Sequence, residues 1–547
     1  MLPVGDLMEQ EENLTCDTVI AGGGIAGLVC AIELLEKNQT VILVDRDTPE
    51  RLGGLARWAF GGMALCGTQE QQRMKIPDNS DTLLKDWHSF ANFSEDDDWP
   101  KAWAKAYAEQ NHERVYLWLK KLGITFLPAV NWVERGLYTP GNSLPRYHVM
   151  WGTGWHLVET IIAQLTPYLA NGQLNILYQH KAIKPQLQQA IHTLEVLNEQ
   201  NQQSIVIQAT NIVIACGGIN GALENAKKNW LSGFNNPQAE MLNGANPISD
   251  GQLHQQLASQ GAQLTHIDKM WNYAAGIKHP QAEFEHHGLS LIPCKSALWL
   301  DHQGKRIGPM PLVTGFDTNY LCAQVAKLPQ PWTWQILNWR IAKKELAVSG
   351  SAHNPSIRDK KMLTFLSEIL FGNKRLVNQL LAESDDVICA DSIEELSNKM
   401  NELTDKNYLD ANQLTQVLAD YDRQFKQSNG CENDEQVRRI HHARQWRPDK
   451  LRTCKPAPIV DGDKNNPLIA IRLQLIARKS LGGIQTNLNS EVINEQGDVI
   501  PRLYCIGEAA GFGGGGANGE KSLEGTFLAG CILTARNAAL AISSSEN

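Results

Sequence analysis

The stretch Asp-Thr-Val-Ile-Ala-Gly-Gly-Gly-Ile-Ala-Gly, residues 17–27, joins an apolar run to a glycine turn in this 547-residue chain. Residues 28–35 continue at helical spacing, and a second apolar run at residues 40–44 ends at Asp45. A strand, a glycine turn, a helix and a second strand that ends in an acidic residue form the fingerprint of dinucleotide binding, in the order it requires. The sequence therefore predicts a βαβ unit that binds a dinucleotide.

The residues of this turn have separate tasks in the fingerprint. Gly22 permits the tight turn, Gly24 lets the backbone approach a pyrophosphate, and Gly27 lets helix and strand pack closely. The helix N-terminus supplies free N–H groups and a positive dipole end for the phosphates. Asp45 is placed to accept a hydrogen bond from a ribose hydroxyl. The predicted contacts in this unit are Gly22, Gly24, Ile25, Ala26, Gly27, Asp45 and Arg46.

The bulk composition bounds the class of protein. A chain of 547 residues is too long for one ordinary core, so two or three structural units are expected. A formal charge of −9 without any Lys/Arg cluster argues against a nucleic-acid surface, and no apolar run approaches the length of a membrane span. The eleven cysteines include no CxxC pair, which predicts free thiols in the cytoplasm and no metal site.

Strand-like segments at both ends of the chain predict one discontinuous nucleotide domain. Residues 175–207 alternate apolar and polar side chains, as in an antiparallel meander. The next buried strand would return to the parallel sheet and end beside the nucleotide at Ala215, Gly217 and Gly218.

The middle third of the chain has helical segments and no dinucleotide signature. We expect an α/β fold with a Rossmann-like, glutathione-reductase-type domain made of residues 1–270 and 451–547. An α+β capping domain would be inserted at residues 271–450.

A second glycine-rich stretch, residues 507–519, has six glycines between positions 511 and 519. It follows a strand ending near Glu508 and opens into a helix predicted to begin near Ser522. Glycines such as Gly513 let a backbone approach a flat ligand, and the first N–H groups of the helix, at Ser522 and Leu523, would face the N1–C2=O edge of an isoalloxazine ring. The alternative, a flexible linker, is seldom followed by a long apolar helix.

The two glycine segments together decide between cofactors. The first alone leaves NAD, NADP and FAD open, although Asp45 disfavours a ribose 2′-phosphate. Glu508, which would hold ribityl or ribose hydroxyls, and the loop after it supply a second half-site suited to a flavin ring. The sequence therefore predicts FAD.

Further glycine motifs follow the fingerprint in a fixed order: Gly53-Gly54, Gly61-Gly62, the turn at residues 215–218, Leu481-Gly482-Gly483-Ile484 and Gly507-Glu508. Together they resemble the fumarate reductase/succinate dehydrogenase flavoprotein superfamily, which also contains the 3-ketosteroid Δ1-dehydrogenases. The chain is more narrowly similar to bacterial FAD-binding dehydrogenases of the ketosteroid-dehydrogenase-like type. That resemblance covers about residues 15–541. It implies non-covalent FAD, an inserted capping domain and hydride transfer between flavin N5 and a carbon.

The chain also departs from these families at residues that define their chemistry. Arg478, Asn518 and Ser522 stand where the resemblance places two histidines and an arginine of fumarate reductases, so a dicarboxylate substrate is not expected. Phe512 stands at the position of a catalytic tyrosine of the ketosteroid enzymes, and a phenyl ring cannot donate a hydrogen bond to a carbonyl. Leu55 falls near the flavin-linking histidine of succinate dehydrogenases.

Dehydrogenation beside a carbonyl needs a base for the α-proton, an electrophile for the enolate and a hydride acceptor. Arg478 and Lys479 precede a turn that the resemblance places near the flavin. Either could stabilise an enolate, and a desolvated lysine could act as base; the alternative is a surface basic pair. His148 and Tyr273 are the other catalytic candidates, with core packing as the alternative for each.

The sequence thus predicts an FAD-dependent oxidoreductase that transfers hydride to or from a carbon beside a carbonyl, on a hydrophobic cyclic ketone or enone. An amine or hydroxyl oxidase that uses oxygen is one alternative, and a flavin-binding redox sensor without turnover is another. The residues predict a small-molecule substrate and leave the electron acceptor, the direction of reaction and the oligomeric state open.

Overall fold

Two eight-stranded sheets organise the chain in the computed structural model, which describes residues 14–137, 140–188, 190–231, 240–308, 310–330, 332–426 and 433–545. The strands are β1 (Leu14–Ala21), β2 (Val41–Asp45), β3 (Gly62–Ala64), β4 (Tyr147–Val149), β5 (Leu174–Tyr178), β6 (His180–Gln186), β7 (His192–Asn198), β8 (Ser204–Ile214), β9 (Met241–Asn243), β10 (Leu264–Thr265), β11 (Met270–Lys278), β12 (Gly288–Ile292), β13 (Leu298–Leu300), β14 (Trp332–Asn338), β15 (Ala347–Val348), β16 (Val387–Ala390), β17 (Leu468–Ser480), β18 (Gly483–Ile484), β19 (Glu491–Ile493) and β20 (Val499–Cys505).

The helices connect and cover these sheets. They are α1 (Ile25–Leu35), α2 (Leu55–Trp58), α3 (Gln69–Arg73), α4 (Ser80–Ala91), α5 (Asp98–Gln110), α6 (Trp118–Lys121), α7 (Thr153–Ala170), α8 (Leu223–Asn229), α9 (Gln252–Ala258), α10 (Thr318–Ala326), α11 (Trp339–Glu345), α12 (Pro355–Arg358), α13 (Met362–Phe371), α14 (Lys374–Glu383), α15 (Ile393–Leu403), α16 (Ala411–Lys426), α17 (Glu435–Gln445), α18 (Arg447–Arg452) and α19 (Thr526–Ser545).

The first sheet has the order β19-β20-β8-β1-β2-β5, and β1 runs parallel to both of its neighbours. Its inner strands are continuous apolar runs because helices and connections cover both faces of a parallel sheet. The βαβ unit β1-α1-β2 is confirmed. The predicted meander is confirmed for β6, β7 and β8, which pair antiparallel, whereas β5 at its start pairs parallel with β2. The C-terminal strand β20 lies parallel beside β8 and completes the sheet, as predicted.

Two apolar helices, α1 and α19, pack against each other on this sheet. Helix α19 is long and apolar enough to span a membrane by length and composition, but 72% of it is buried inside the protein. Such burial is that of a core helix. Helix α19 begins at Thr526 rather than near Ser522, because Gly525 has φ +100° and ends a turn that is not helical.

The second sheet has the order β13-β14-β17-β11-β12-β15, and β9 and β16 also pair with β17. Because β17 is its central strand, the second sheet reaches to Ser480, and the predicted boundary at residue 450 does not coincide with the sheets. The apolar run of β17 predicts a buried strand, and such a run would suit either sheet. The sequence pattern alone therefore did not identify the strands that pair with β17. The end of β17 returns the chain to the first sheet's edge.

Candidate active site

A cleft with about 1600 Å³ of empty space follows the carboxyl edge of the first sheet. The ends of β1, β2 and β8 and the first turn of α1 line it. Ligands of open α/β sheets bind at this edge, where the connections leave room between strands and helices. Most predicted cofactor contacts line the cleft: Gly22, Gly24, Ile25, Ala26, Asp45, Arg46, Gly53, Gly54, Gly61, Gly62, Ala215, Gly217 and Glu508.

The glycine turn has the geometry that its fingerprint role requires. Gly22 has φ +119°, and a Cβ there would lie 2.3 Å from the carbonyl oxygen of Ala215. A Cβ at Gly27 would lie 2.0 Å from the carbonyl oxygen of Gly22, so Gly27 packs the helix on the strand without lining the cleft. A Cβ at Gly24 would meet no atom within 4 Å, which leaves open space at the helix N-terminus for a phosphate group.

Asp45 stabilises this turn through hydrogen bonds and also lines the cleft. Its Oδ2 accepts a hydrogen bond from the backbone N–H of Gly23 at 2.5 Å, and its Oδ1 accepts one from Asp47 at 2.8 Å. The neighbouring Arg46 forms ion pairs with Glu199 at 2.8 Å and with Asp250 at 2.9 Å. The acid at the end of β2 is therefore fixed in position beside a cleft that can receive a ribose.

Glu508 stands at the other end of the cleft. Its Oε1 accepts a hydrogen bond from the backbone N–H of Ser480 at 2.9 Å, and burial raises its pKa to about 7. Gly218 lies directly against this carboxyl group, because a Cβ at Gly218 would come 2.4 Å from Oε1. Gly218 therefore makes room for Glu508 and does not itself line the cleft.

Three predicted contacts in the C-terminal loop do not line the cleft: Gly513, Ser522 and Leu523. Gly513 packs against Trp103, and the hydroxyl of Ser522 donates to Oδ1 of Asn518 at 3.2 Å. The cleft is instead lined by the residues around the start of α19, which begins four residues later than predicted. These residues are Glu524, Gly525, Phe527, Leu528 and Cys531.

His148, a predicted catalytic residue, lies in the core and lines neither cavity. Its Nδ1 is 2.6 Å from the carbonyl oxygen of Arg146, and its Nε2 is 2.7 Å from the hydroxyl of Thr68. Burial lowers its pKa to about 4, so the ring is neutral, with Nδ1 donating and Nε2 accepting. This placement corresponds to the alternative of a core histidine and argues against a catalytic role.

Tyr147, the residue before His148, faces the cleft instead. The two residues are neighbours on β4, and successive side chains of a strand point to opposite faces. Tyr147 packs over Gly62, and its hydroxyl has no hydrogen-bond partner among the described residues. Burial, reinforced by the charge of Glu524, raises its pKa, so the phenol is neutral and can donate a hydrogen bond.

Tyr273 and Lys479, two of the predicted catalytic residues, come together with Glu524. The hydroxyl of Tyr273 donates to Oε2 of Glu524 at 3.0 Å, and Lys479 Nζ lies 3.4 Å from the same hydroxyl. Trp271 Nε1 also donates to Oε2 of Glu524, at 2.6 Å. Tyr273 on β11 and Lys479 on β17 lie close together because these two strands pair in the second sheet.

Arg478 lines the cleft beside Lys479, but its guanidinium is partly occupied. Its Nη1 donates to the carbonyl oxygen of Gly244 at 2.6 Å, while its Nε has no hydrogen-bond partner among the residues that the structure describes. Phe512 also lines the cleft and packs against Phe527, with ring centroids 4.7 Å apart and the rings tilted by 57°. Arg478 and Lys479 are therefore not a surface basic pair, because both line the cleft. Position 512 has no phenol, and the free hydroxyl in the cleft is that of Tyr147.

A second cavity with about 1370 Å³ of empty space adjoins the cleft. The two share five lining residues, which define their junction: Phe60, Tyr147, Tyr273, Ser349 and Glu524. Apolar side chains such as Trp132, Leu291 and Trp299 line the second cavity farther away. Glu134 also lines it, and burial raises the pKa of this carboxyl to about 8, so it is mainly neutral at pH 7.

Lys479 is held in a setting that disfavours its charge. Burial lowers its pKa from 10.5 to about 8, and the charge of Glu524 only partly opposes the shift. Between pH 8 and 10.5 the unfolded chain therefore holds a proton that the folded chain has released. The buried ammonium therefore lowers the free energy of unfolding by its full amount below pH 8, and this destabilisation disappears as the pH rises to 10.5.

Replacing Lys479 by methionine is therefore expected to raise the free energy of unfolding by about 2–3 kcal/mol near pH 7. Denaturant titration at about pH 7 and pH 10 would measure this gain, which should shrink strongly at the higher pH. The exposed Lys85, replaced in the same way, should give no pH-dependent gain. A gain of equal size at both pH values would contradict the burial of an ammonium group.

The geometry fits FAD. An elongated cleft joins an open helix N-terminus and Asp45 at one end to Glu508 and the start of α19 at the other. The glycine positions that line it could not carry larger side chains without closing the space. Leu55, which lines the cleft near the predicted position of a flavin-linking residue, has no nucleophile for a covalent bond.

Comparisons with known proteins agree with this geometry. The family model for an FAD binding domain matches residues 17–528. A KsdD-like steroid dehydrogenase of Mycobacterium tuberculosis is 35% identical over 547 residues, covering 96% of this chain and 95% of that protein.

Two solved structures share the fold at 17% identity. The open conformation of a flavocytochrome c3 fumarate reductase has a TM-score of 0.69 and covers 97% of this chain and 78% of that one. The 3-ketosteroid-Δ4-(5α)-dehydrogenase of Rhodococcus jostii RHA1, in complex with 4-androstene-3,17-dione, has a TM-score of 0.62 and covers 99% and 100%. The predicted resemblance, fold and cofactor are thereby confirmed. The chain belongs to the FAD-binding domain family and is an FAD-dependent oxidoreductase that acts on CH–CH groups.

Proposed function

We propose that this protein dehydrogenates a steroid ketone, forming a carbon–carbon double bond beside the carbonyl. One observation carries the proposal: Tyr147, Tyr273, Lys479 and Glu524 meet where the FAD cleft opens into a largely apolar second cavity. A polar cluster at the end of an apolar cavity suits a hydrophobic ring system with one ketone. The printed name of the Mycobacterium tuberculosis relative supports a steroid in particular.

The free hydroxyl of Tyr147 provides the electrophile. It lines the junction, is neutral, and has no hydrogen-bond partner among the described residues. Donation of this hydroxyl to the substrate carbonyl would stabilise the negative charge that develops on oxygen when the α-proton leaves. Tyr147, on β4, would thus supply the hydroxyl that Phe512 in the C-terminal glycine loop lacks.

Tyr273 provides the route for the α-proton. Burial and the charge of Glu524 raise its pKa, so the phenol keeps its proton at neutral pH. The phenol oxygen accepts the α-proton from substrate while its own proton passes along the 3.0 Å hydrogen bond to the carboxylate of Glu524. The ammonium of Lys479, 3.4 Å away, stabilises negative charge on that oxygen during the transfer. FAD held in the cleft by the glycine turn, Asp45 and Glu508 would supply the acceptor for the hydride of the adjacent carbon.

The same cluster argues against a dicarboxylate substrate. Such a substrate requires several cations free to bind two carboxylates. In the cleft beside the junction, Arg478 is engaged with the carbonyl oxygen of Gly244, and Lys479 lies 3.4 Å from the hydroxyl of Tyr273 and is influenced by the charge of Glu524. A single ketone oxygen needs only the one free donor that Tyr147 supplies.

Replacing Tyr147 by phenylalanine is expected to lower kcat by about tenfold to a hundredfold, because one hydrogen bond to the developing oxyanion is lost. The bound FAD should be retained, since Tyr147 packs over Gly62 through its ring, which phenylalanine keeps. Steady-state kinetics with a steroid ketone and an artificial electron acceptor would measure the effect. An unchanged kcat would remove Tyr147 from the mechanism.

The proposed function is tested by turnover of a panel of steroid ketones with FAD-loaded protein and an artificial electron acceptor. We expect at least one ketone to give a product that lacks two hydrogens, identified by mass and ultraviolet spectrum. Amines and secondary alcohols in the same panel test the oxidase alternative, which predicts peroxide from oxygen. A flavin that no compound in the panel reduces would leave the redox sensor as the better account.

A further inference from the structure

Helix α13 exposes most of its apolar side chains to solvent. None of its ten residues is buried. Leu363 and Phe371 are the most exposed of them, at 85% and 72%. Single exposed apolar residues are common on protein surfaces, but a contiguous group of them marks an interaction site.

The exposed apolar side chains lie on one face of this helix. Met362, Leu366 and Leu370 follow one another at intervals of four residues, and positions with that spacing share a face. Leu363 lies beside this row, and Phe371 ends the helix. We call these five exposed residues the apolar face of α13.

The other side of α13 contacts the rest of the protein. The ring of Phe365 packs against that of Trp151, with centroids 5.7 Å apart. The carboxylate of Glu368 accepts a hydrogen bond from the hydroxyl of Ser356 at 2.5 Å. These contacts hold the helix so that its apolar face points away from the protein.

Basic residues flank the apolar face at both ends. Lys360 and Lys361 precede α13, and both are exposed. Lys374 and Arg375 follow it and are also exposed. Residues 358–375 include five basic and two acidic residues, whereas the whole chain has a formal charge of −9. Positive charge is therefore concentrated beside an apolar surface in an otherwise acidic protein.

The two acidic residues of this segment do not cancel its positive charge. Glu368 is hydrogen-bonded as described above. Asp359 forms ion pairs with two basic residues of the same segment, Arg358 and Lys361. Lys374 and Arg375 form no ion pair with any residue that the structure describes, so their charges remain available at the surface.

Helix α18 packs beside α13 and extends this surface. Its Leu451 is 43% exposed. Its exposed basic residues are Arg447, Lys450 and Arg452. Asp449, on the same helix, pairs with Arg135 and lines the second cavity. The apolar face of α13 therefore lies next to a helix that forms part of the wall of that cavity.

An apolar helix face bordered by basic residues is typical of a helix that lies in the interface of an anionic membrane. With ten residues, α13 is about 15 Å long, whereas the hydrocarbon core of a bilayer is about 30 Å thick. The helix is thus too short to span a bilayer. Lying in the interface, it would place its apolar face among the acyl chains and its basic flanks among the headgroups.

A second copy of the chain would fit this surface less well. Both ends of α13 carry basic residues. If two such helices packed together, like charges would meet in a parallel and in an antiparallel arrangement alike, and such contacts are unfavourable. Anionic headgroups instead supply the charge that these residues lack.

We propose that the apolar face of α13 and its basic flanks dock the protein on an anionic phospholipid bilayer. This inference goes beyond the proposed function and does not depend on it, because docking involves neither the FAD cleft nor the reacting groups. A docked protein would hold the α18 wall of the second cavity close to the bilayer, in which a hydrophobic ketone dissolves.

Co-sedimentation of the FAD-loaded protein with lipid vesicles tests this assignment. One set of vesicles is phosphatidylcholine alone, and the other is an equal mixture of phosphatidylcholine and phosphatidylglycerol. At low salt the wild-type protein should bind the mixed vesicles at least about tenfold more strongly, because several basic residues would lie near the anionic surface. High salt should remove most of this difference by screening.

Leu363→Gln combined with Phe371→Gln should weaken binding to the mixed vesicles by about tenfold or more, since two apolar side chains no longer enter the bilayer. Both residues are mostly exposed, so FAD retention, measured as flavin absorbance after gel filtration, should not change. The matched control combines Leu117→Gln with Leu540→Gln, which replace leucines that are 45% and 54% exposed outside α13. This control should bind as the wild type does.

Lys374→Gln tests the charge separately from the apolar face. It should weaken binding to the mixed vesicles by about threefold to fivefold and leave binding to phosphatidylcholine vesicles unchanged. An equal loss for both kinds of vesicle would contradict recognition of anionic headgroups.

Two results would overturn the docking surface: no binding of the mixed vesicles by FAD-loaded wild-type protein, or binding that survives in the Leu363→Gln, Phe371→Gln variant. A wild-type dimer that this variant converts to a monomer, measured by light scattering without lipid, would assign the surface to a second copy instead. The vesicle assay contains no steroid. Turnover of ketones without vesicle binding would therefore overturn the docking surface alone, and vesicle binding without turnover would overturn the proposed reaction alone.

Discussion

Replacing Tyr273 by phenylalanine is expected to slow flavin reduction by a steroid ketone by about 10²–10⁴-fold. The substitution removes the oxygen that receives the α-proton and breaks the connection to Glu524, whose carboxylate lies 3.0 Å from that oxygen. Lys479, 3.4 Å from the same oxygen, would lose the group that it stabilises. Anaerobic stopped-flow absorbance of the bound flavin measures the rate without involving the electron acceptor.

The FAD content and the ligand affinity of the Tyr273→Phe variant should stay near the wild-type values, because the phenyl ring still fills the wall of the junction. Tyr168→Phe is a suitable control, since Tyr168 packs beside the core of the first domain and lines neither cavity. A Tyr273→Phe variant that reduces its flavin at nearly the wild-type rate would exclude this route for the proton.

Replacing Gly22 by alanine is expected to destabilise the protein by about 3–5 kcal/mol and to abolish retention of FAD. The new Cβ would lie 2.3 Å from the carbonyl oxygen of Ala215 and 2.9 Å from Cα of Cys216. These are backbone atoms of the neighbouring strand connection and cannot turn away as a flexible side chain can. The backbone at Gly22, with φ +119°, is also unfavourable for alanine. Flavin absorbance after gel filtration and denaturant titration would measure both effects.

Gly123→Ala separates the two causes. Gly123 also has a positive φ, +81°, but a Cβ there would meet no atom within 4 Å. This control should therefore lose only about 1–2 kcal/mol, the cost of the left-handed backbone, and should keep its FAD. Similar losses at both positions would show that the close approach to Ala215 does not matter.

The sequence was most informative where local chemistry determines structure. The glycine turn at residues 17–27 specifies its own conformation, and Asp45 follows at the end of the next strand. These features predicted the FAD cleft because glycine positions, helix N-terminus and acid are linked through one βαβ unit. Lys479 was predicted as a catalytic candidate because the resemblance places the Gly482-Gly483 turn near the flavin. It lines the cleft, and its catalytic role stays a prediction.

The sequence was least informative where long-range pairing decides which way a side chain points. Tyr147 and His148 are adjacent on β4, and only the pairing of this short strand with β3 shows that Tyr147 faces the cleft. Glu524 follows Leu523 at the predicted helix start, but the helix begins only at Thr526, and the carboxylate of Glu524 accepts a hydrogen bond from Tyr273. The place of β17 in the second sheet likewise depends on its pairing with β11 and β14, which precede it by more than a hundred residues.

The most direct measurement is an anaerobic titration of the FAD-loaded protein with a steroid ketone, followed by absorbance of the flavin and by mass spectrometry of the steroid. The account predicts that the absorbance of oxidised flavin disappears and that one steroid double bond beside the carbonyl is formed for each flavin reduced. Reduction of the flavin by an amine or an alcohol, with every ketone left unchanged, would contradict it.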